Sequence, residues 1–306
     1  MFGTTGTGTL EHVWIGYGGS DGNLTANGAL VNLRYAFVGY SATNGLRWMA
    51  GGRGEIADSI IEQNLSYGLY LSGSSYPTVS GNTFAHNRSY AVYMEGNCQA
   101  DFSGNEAYGN TYNGIGVYGT VATSTWHANL PYLATASLAV ESGSTLTLEP
   151  GTVVKFLSQK ALIIRGALAA SGTEAQPIVL TTIKDDEYGG DTQQDGAATK
   201  PGRGDWGTLY FADTTNDATT VLDHVIVRYG GYGYSYGSGT SYANVTLDSA
   251  GPRIVNSRFE YSGKYGLQLV NASLPQIDSN LIWENADAGL WLGPSSSPQV
   301  PRMNLT

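Results

Sequence analysis

Five carboxylates, Asp185, Asp186, Glu187, Asp191 and Asp195, fall within eleven residues, a density that repels itself unless a cation sits among them. The run Asp191-Thr-Gln193-Gln-Asp195-Gly follows the opening D-x-[DN]-x-[DN]-G of a calcium loop, with Gln193 where Asp or Asn is usual and no clear glutamate at the closing position. Calcium is the candidate cofactor, with Asp185, Asp186, Asp191, Gln193 and Asp195 as candidate oxygen ligands. A solvated acidic loop is the plain alternative.

Aromatic side chains offer a second chemistry. Tyr70, Tyr93 and Trp291 each stand one outward position beyond an apolar strand residue, Trp283 lies six beyond Ile277, and Tyr232, Tyr234 and Tyr236 crowd a glycine-rich stretch. Rings on such positions can stack against sugar faces, so these seven are the candidate carbohydrate-binding residues. Exposed tyrosine is also common in strands, where ring ladders stabilise neighbouring chains without any ligand.

Catalytic constellations are harder to find. Asp278, Glu284 and Asp287 cluster, and Glu260 lies near Arg258 and Lys264, but they fall at different registers and match no lyase or hydrolase motif. His12 and His224 each follow a carboxylate in a duplicated Leu-[Glu/Asp]-His-Val segment, which favours a structural role. His86 and His127 have no nucleophile partner identifiable from sequence. The catalytic assignment is accordingly unknown.

These side chains need elements to position them, and composition says which kind. The chain has 306 residues with 42 glycines, 21 tyrosines and only 13% charged residues, the profile of strands and turns. Net charge is −10, so a polyanion such as nucleic acid meets a repulsive average field. Cys98 is the one cysteine and has no disulfide partner within the chain. No run of apolar residues is long enough for a membrane-spanning helix.

An apolar anchor recurs at Leu10, Leu33, Ile56, Val79 and Phe102, always 23 residues apart. Five residues after each comes Ile15, Val38, Ile61, Phe84 or Ala107, and a further apolar pair at spacing two follows, as in Leu69 and Leu71. Spacing of two puts both side chains on one face of a strand. The unit returns as Ile254, Ile277 and Val300, while Leu222 precedes Ile254 by 32, one period plus nine residues assigned to an insert in the Tyr-rich stretch. Asn82, Asn105 and Asn280 share one turn register, and Asn64, Asn87, Asn110 and Asn285 another. One such unit cannot offset its ordering entropy of about 1–2 kcal/mol per residue, so units must stack.

The predicted fold is an all-β right-handed parallel β-helix, a single-stranded solenoid with about 23-residue coils and a protruding acidic loop. The expected organisation is one continuous β-helix over 1–306, with regular coils at 10–120, longer-strand coils at 121–182, the acidic insert at 183–205, and a second regular block at 206–306 carrying the Tyr-rich insert 229–242. Since the pattern already runs at Leu10 and still runs at Val300, the chain reads as a fragment of a longer parent whose neighbouring coils would be partners.

The run Leu146-Thr-Leu-Glu-Pro-Gly-Thr-Val-Val-Lys-Phe, with Gly166-Ala-Leu-Ala-Ala-Ser-Gly-Thr and Gly204-Asp-Trp-Gly, resembles bacterial secreted right-handed parallel β-helix repeat proteins. The unit from Asn280 to Leu292 is similar to repeats of the pectate-lyase-like superfamily, including NosD-type and carbohydrate-associated members. The resemblance implies an extracellular or cell-surface setting and leaves activity open. Two readings follow: a non-catalytic exported surface or adhesive module whose partner is a polysaccharide or cell-surface glycan, or a polysaccharide-active lyase or glycoside hydrolase.

Overall fold

The computed structural model describes residues 1–237 and 239–305, without the side chains of 302–305. The chain divides into two compact units: Met1–Tyr118 with Trp126–Tyr132 and Gly189–Gly196, and Gly119–Thr125 with Leu133–Tyr188 and Ala197–Thr306. Every regular element among the described residues is a strand, and no helix is long and apolar enough to cross a membrane.

In the first unit the 23-residue period becomes register. Leu10 pairs with Leu33, Leu33 with Ile56, Ile56 with Val79 and Val79 with Phe102, all in parallel. A second five-stranded sheet aligns Ile15, Val38, Ile61, Phe84 and Ala107. A third carries Leu46, Leu69, Val92 and Ile115. The inward residues from Leu33 to Phe102 are fully buried, so like side chains pile over like in one apolar column. This is a right-handed parallel β-helix, as the spacing predicts.

Some corners between strands turn through a left-handed residue. His12, Tyr35 and Asp58 occupy one such column at φ of 52°, 50° and 48°, succeeded by Gly81 and Gly104. The corners also explain the asparagines. Asn87 Oδ1 accepts the Asn64 N–H at 3.2 Å and the Asn64 Nδ2 at 2.8 Å, while its own Nδ2 donates to the Ile61 carbonyl. Asn64, Asn82, Asn87, Asn105 and Asn110 are all buried, so each side chain satisfies turn amides that water cannot reach.

The second unit is also a parallel solenoid. One column runs Leu138, Leu162, Leu209, Val245, Leu267, Leu290 through a seven-stranded sheet, and another runs Val154, Leu180, Val227, Phe259, Ile282. Leu222 pairs with Ile254 and Ile254 with Ile277, which accounts for the 32-residue step by an insert. That insert is an antiparallel hairpin of Tyr234–Tyr236 with Gly239–Ser241. The acidic insert leaves the coils at Ile183, and Lys184 meets Asp205 at 2.7 Å to close its base.

Candidate functional site

In the seven-stranded sheet of the second unit, Ala139, Ile163, Tyr210, Thr246, Gln268 and Trp291 share the outward register. Outward residues of a solenoid normally meet water, yet Ile163 and Tyr210 are buried. The cause is the hairpin: Tyr234 and Tyr236 pack against the cluster of Ile163, Tyr210 and Ala212. Ser241 at the hairpin's return is hydrogen-bonded to Thr246 on the coil, and Asn244, itself buried, accepts the Gly230 N–H at 2.8 Å and donates to the Glu260 carbonyl at 2.9 Å. Both ends of the insert are thereby tied to the stack.

Beneath the hairpin lies a 600 Å³ pocket with Tyr210, Tyr234 and Tyr236 on its wall and Arg165, Asp213, Asp248 and Asn271 among its polar lining. The Tyr210 hydroxyl donates to Asp248 Oδ2 at 2.6 Å, and Asn271 Nδ2 donates to Oδ1 at 2.5 Å, which fixes that carboxylate in the wall. Burial, and then the bond to Asp248, push the Tyr210 phenol well above the usual tyrosine range. Burial also raises Tyr234, against the opposing charge of Arg165, and raises Tyr236 together with Asp248. All three phenols stay protonated at neutral pH and present neutral rings. Tyr234 and Tyr236 are tilted by 49° and 33° to Tyr210.

The other candidate aromatics do not line this pocket. Tyr70 and Tyr93 belong to a tyrosine ladder in the first unit, where Tyr93 stacks on Tyr67 of the preceding coil at 4.6 Å and on Tyr118 of the following coil at 5.1 Å. Neighbouring rings thus occupy both faces that a sugar would need. Trp283 is tilted at 45° to Tyr261, and Trp291 stacks on Tyr265. Tyr232 is exposed and its hydroxyl accepts from Gln159 Nε2 at 2.8 Å.

The five acidic-loop candidates take two kinds of place. In the second unit Asp185 is 2% exposed, accepts the Thr181 hydroxyl at 2.6 Å and lies 3.8 Å from Arg228 Nε, with Asp186 next in the chain. In the first unit Asp191 accepts the N–H groups of Asp195 and Gly196, while Gln193 Nε2 donates to Asp195 Oδ2 at 2.8 Å. Asp191, Gln193 and Asp195 therefore share one turn.

Of the acid–base candidates, Glu260 is buried and held by Arg258 at 3.0 Å and Arg228 at 3.3 Å, whereas Glu284 is exposed and pairs with Arg203. They do not converge. Arg228 itself was not singled out from sequence: it also meets Glu187 at 2.6 Å and lies over the rings of Tyr188, Tyr229 and Tyr261. Nor were Tyr210, Asp213 and Asp248: the first two lie between the inserts at 183–205 and 229–242, and Asp248 follows closely on the second. The signal for Tyr210 was the Leu-Tyr-Phe strand at 209–211, whose middle residue must face outward.

A larger open groove of 830 Å³ runs along one corner of the first unit, lined by Gln63, His86, Arg88 and the amides of Gln193 and Gln194. Among the described residues, Tyr40 and the His86 imidazole are its aromatic lining. The pocket under the hairpin has the richer combination of ring faces and fixed polar groups.

Comparison with known proteins agrees with the geometry of the first unit: residues 13–130 match the family model described as a right handed beta helix region. No curated protein and no solved structure matches the chain.

Proposed function

We propose that this chain is a non-catalytic solenoid module of an exported protein, displayed outside the cell or at its surface, that binds carbohydrate in the pocket beneath the Tyr234–Ser241 hairpin. The observation that carries this reading is the meeting of three tilted tyrosines with a carboxylate already held by Tyr210 and Asn271. Sugar recognition asks for an apolar face beneath the ring and a few rigid hydrogen-bonding groups around its hydroxyls. Screening on a glycan array followed by calorimetry tests it. Tyr236→Ala should weaken binding by about tenfold, equivalent to 1.4 kcal/mol, without lowering the melting temperature of the coils. Absence of binding to every polysaccharide class would remove the proposal.

The enzymatic alternative has one specific support: Asp213 and Asp248 line the same pocket, as the two carboxylates of a glycoside hydrolase do. Release of reducing ends or of unsaturated uronates from a polysaccharide panel, abolished by Asp213→Asn, would replace the binding reading with this one.

Calcium remains a proposal for the Asp191–Gly196 turn, supported by the shared turn of Asp191, Gln193 and Asp195. Millimolar calcium should raise the melting temperature of the wild type and leave Asp191→Ala unchanged; equal curves for the wild type with and without the ion would end the idea.

A further inference from the structure

We infer that the pocket beneath the tyrosine hairpin selects a cationic amino sugar over neutral and acidic sugars. This rests on the carbohydrate reading and sharpens it to a ligand class.

The charges lining the pocket do not cancel. Arg165 is its cation, but the guanidinium Nη1 lies 2.6 Å from Glu141 Oε1, so its charge is already matched. Among the described residues Asp248 is held only by the neutral donors Tyr210 and Asn271, neither of which brings a positive charge to the carboxylate. Asp213 is exposed and, among the described residues, makes no hydrogen bond or ion pair. Two carboxylates therefore act on whatever enters, and the chain's net charge of −10 adds to the same sign.

Three kinds of sugar meet this field differently. A uronate would bring a third negative charge between Asp213 and Asp248, in a cleft walled by tyrosine rings where screening is weaker than in water. A neutral sugar would partly desolvate Asp213 without supplying a counter-charge. A protonated amino sugar supplies that charge as an N–H donor, forming a charge-assisted hydrogen bond. Its C–H face can rest on Tyr234 or Tyr236, whose rings also attract a nearby cation. The cavity of 600 Å³ has room for a monosaccharide unit and part of its neighbours.

The test is calorimetry at mildly acidic pH, where glucosamine amines are protonated, with three pentasaccharides: glucosamine, N-acetylglucosamine and galacturonic acid. The wild type should bind the glucosamine oligomer about tenfold more tightly than its acetylated counterpart. That preference should shrink with added salt, and the galacturonate oligomer should not bind. Asp213→Asn should erase the preference, weakening the glucosamine oligomer relative to its acetylated counterpart, and its melting curve should match the wild type because the side chain is exposed. If both glucosamine oligomers bind equally and Tyr236→Ala weakens both, the carbohydrate reading stands and the amine selectivity falls. Preferential binding of galacturonate overturns the selectivity outright. If no amino or neutral sugar binds here or in the wider array, both fall.

Discussion

Cys98 shows how burial of a single ionisable group sets a limit on stability. The thiol is almost completely buried, and desolvation pushes it from 9.0 up to about 11. Because the folded pKa is raised, the folded state keeps its proton where the unfolded thiol has lost it, so this contribution is intact below pH 9 and is lost as pH rises towards 11. The expected slope is roughly 1.4 kcal/mol per pH unit across that window. Denaturant titrations from pH 8 to 11 on the wild type and Cys98→Ala would reveal it: the variant's stability should fall less steeply. Buried Tyr90 and partly buried Tyr118 are shifted in the same direction by the same first cause, so the wild type should weaken further above pH 10. Arg228 is the opposite case, a permanent charge kept inside by Asp185, Glu187 and Glu260, and removing it would strand buried carboxylates.

Among elements, the tyrosine ladder of the first unit illustrates a constraint between neighbouring strands. Arg47, Tyr70, Tyr93 and Gly116 stack in one outward column. A Cβ at Gly116 would lie 2.6 Å from Tyr93 Cδ2 and 2.8 Å from Tyr90 Cδ1, so the glycine is what allows those rings to lean over the next coil. Gly116→Val should cost about 1–3 kcal/mol through this overpacking, although valine favours strands, and urea unfolding measures it. A gain in stability would mean that the rings move aside freely. The hairpin is an element of another kind: among the described residues its strands pair only with each other, and the Leu209–Val245 register runs past it.

In the first unit as a whole, stability is close to a sum over repeats and their interfaces. Deleting residues 56–78 removes one complete 23-residue coil and brings Val79 over Leu33 and Asn87 over Ser41, keeping every column in phase. That deletion should fold, with a smaller denaturant m-value in proportion to the lost surface. Deleting residues 56–77 instead shifts all later side chains by one position, turning the apolar set outward, and should abolish the cooperative transition. Equal behaviour of the two deletions in urea melts would show that register is not what holds the coils.

Much of this was open to reading along the chain. A solenoid repeats one local solution, so the spacing of Leu33, Ile56 and Val79 and of Asn64, Asn87 and Asn110 states directly which side chains share a column. It also located the insert that carries Tyr234 and Tyr236, since a surplus of nine residues has to leave the stack somewhere. What lay out of reach was where the inserts land. Whether Tyr93 offers a free ring face depends on Tyr67 and Tyr118 in adjacent coils, and whether Asp185 faces solvent depends on Arg228, 43 positions further on. An insert has no period of its own, so its contacts are decided by surface shape and charge. Only the folded backbone brings Asp213, Asp248 and the hairpin tyrosines around one pocket.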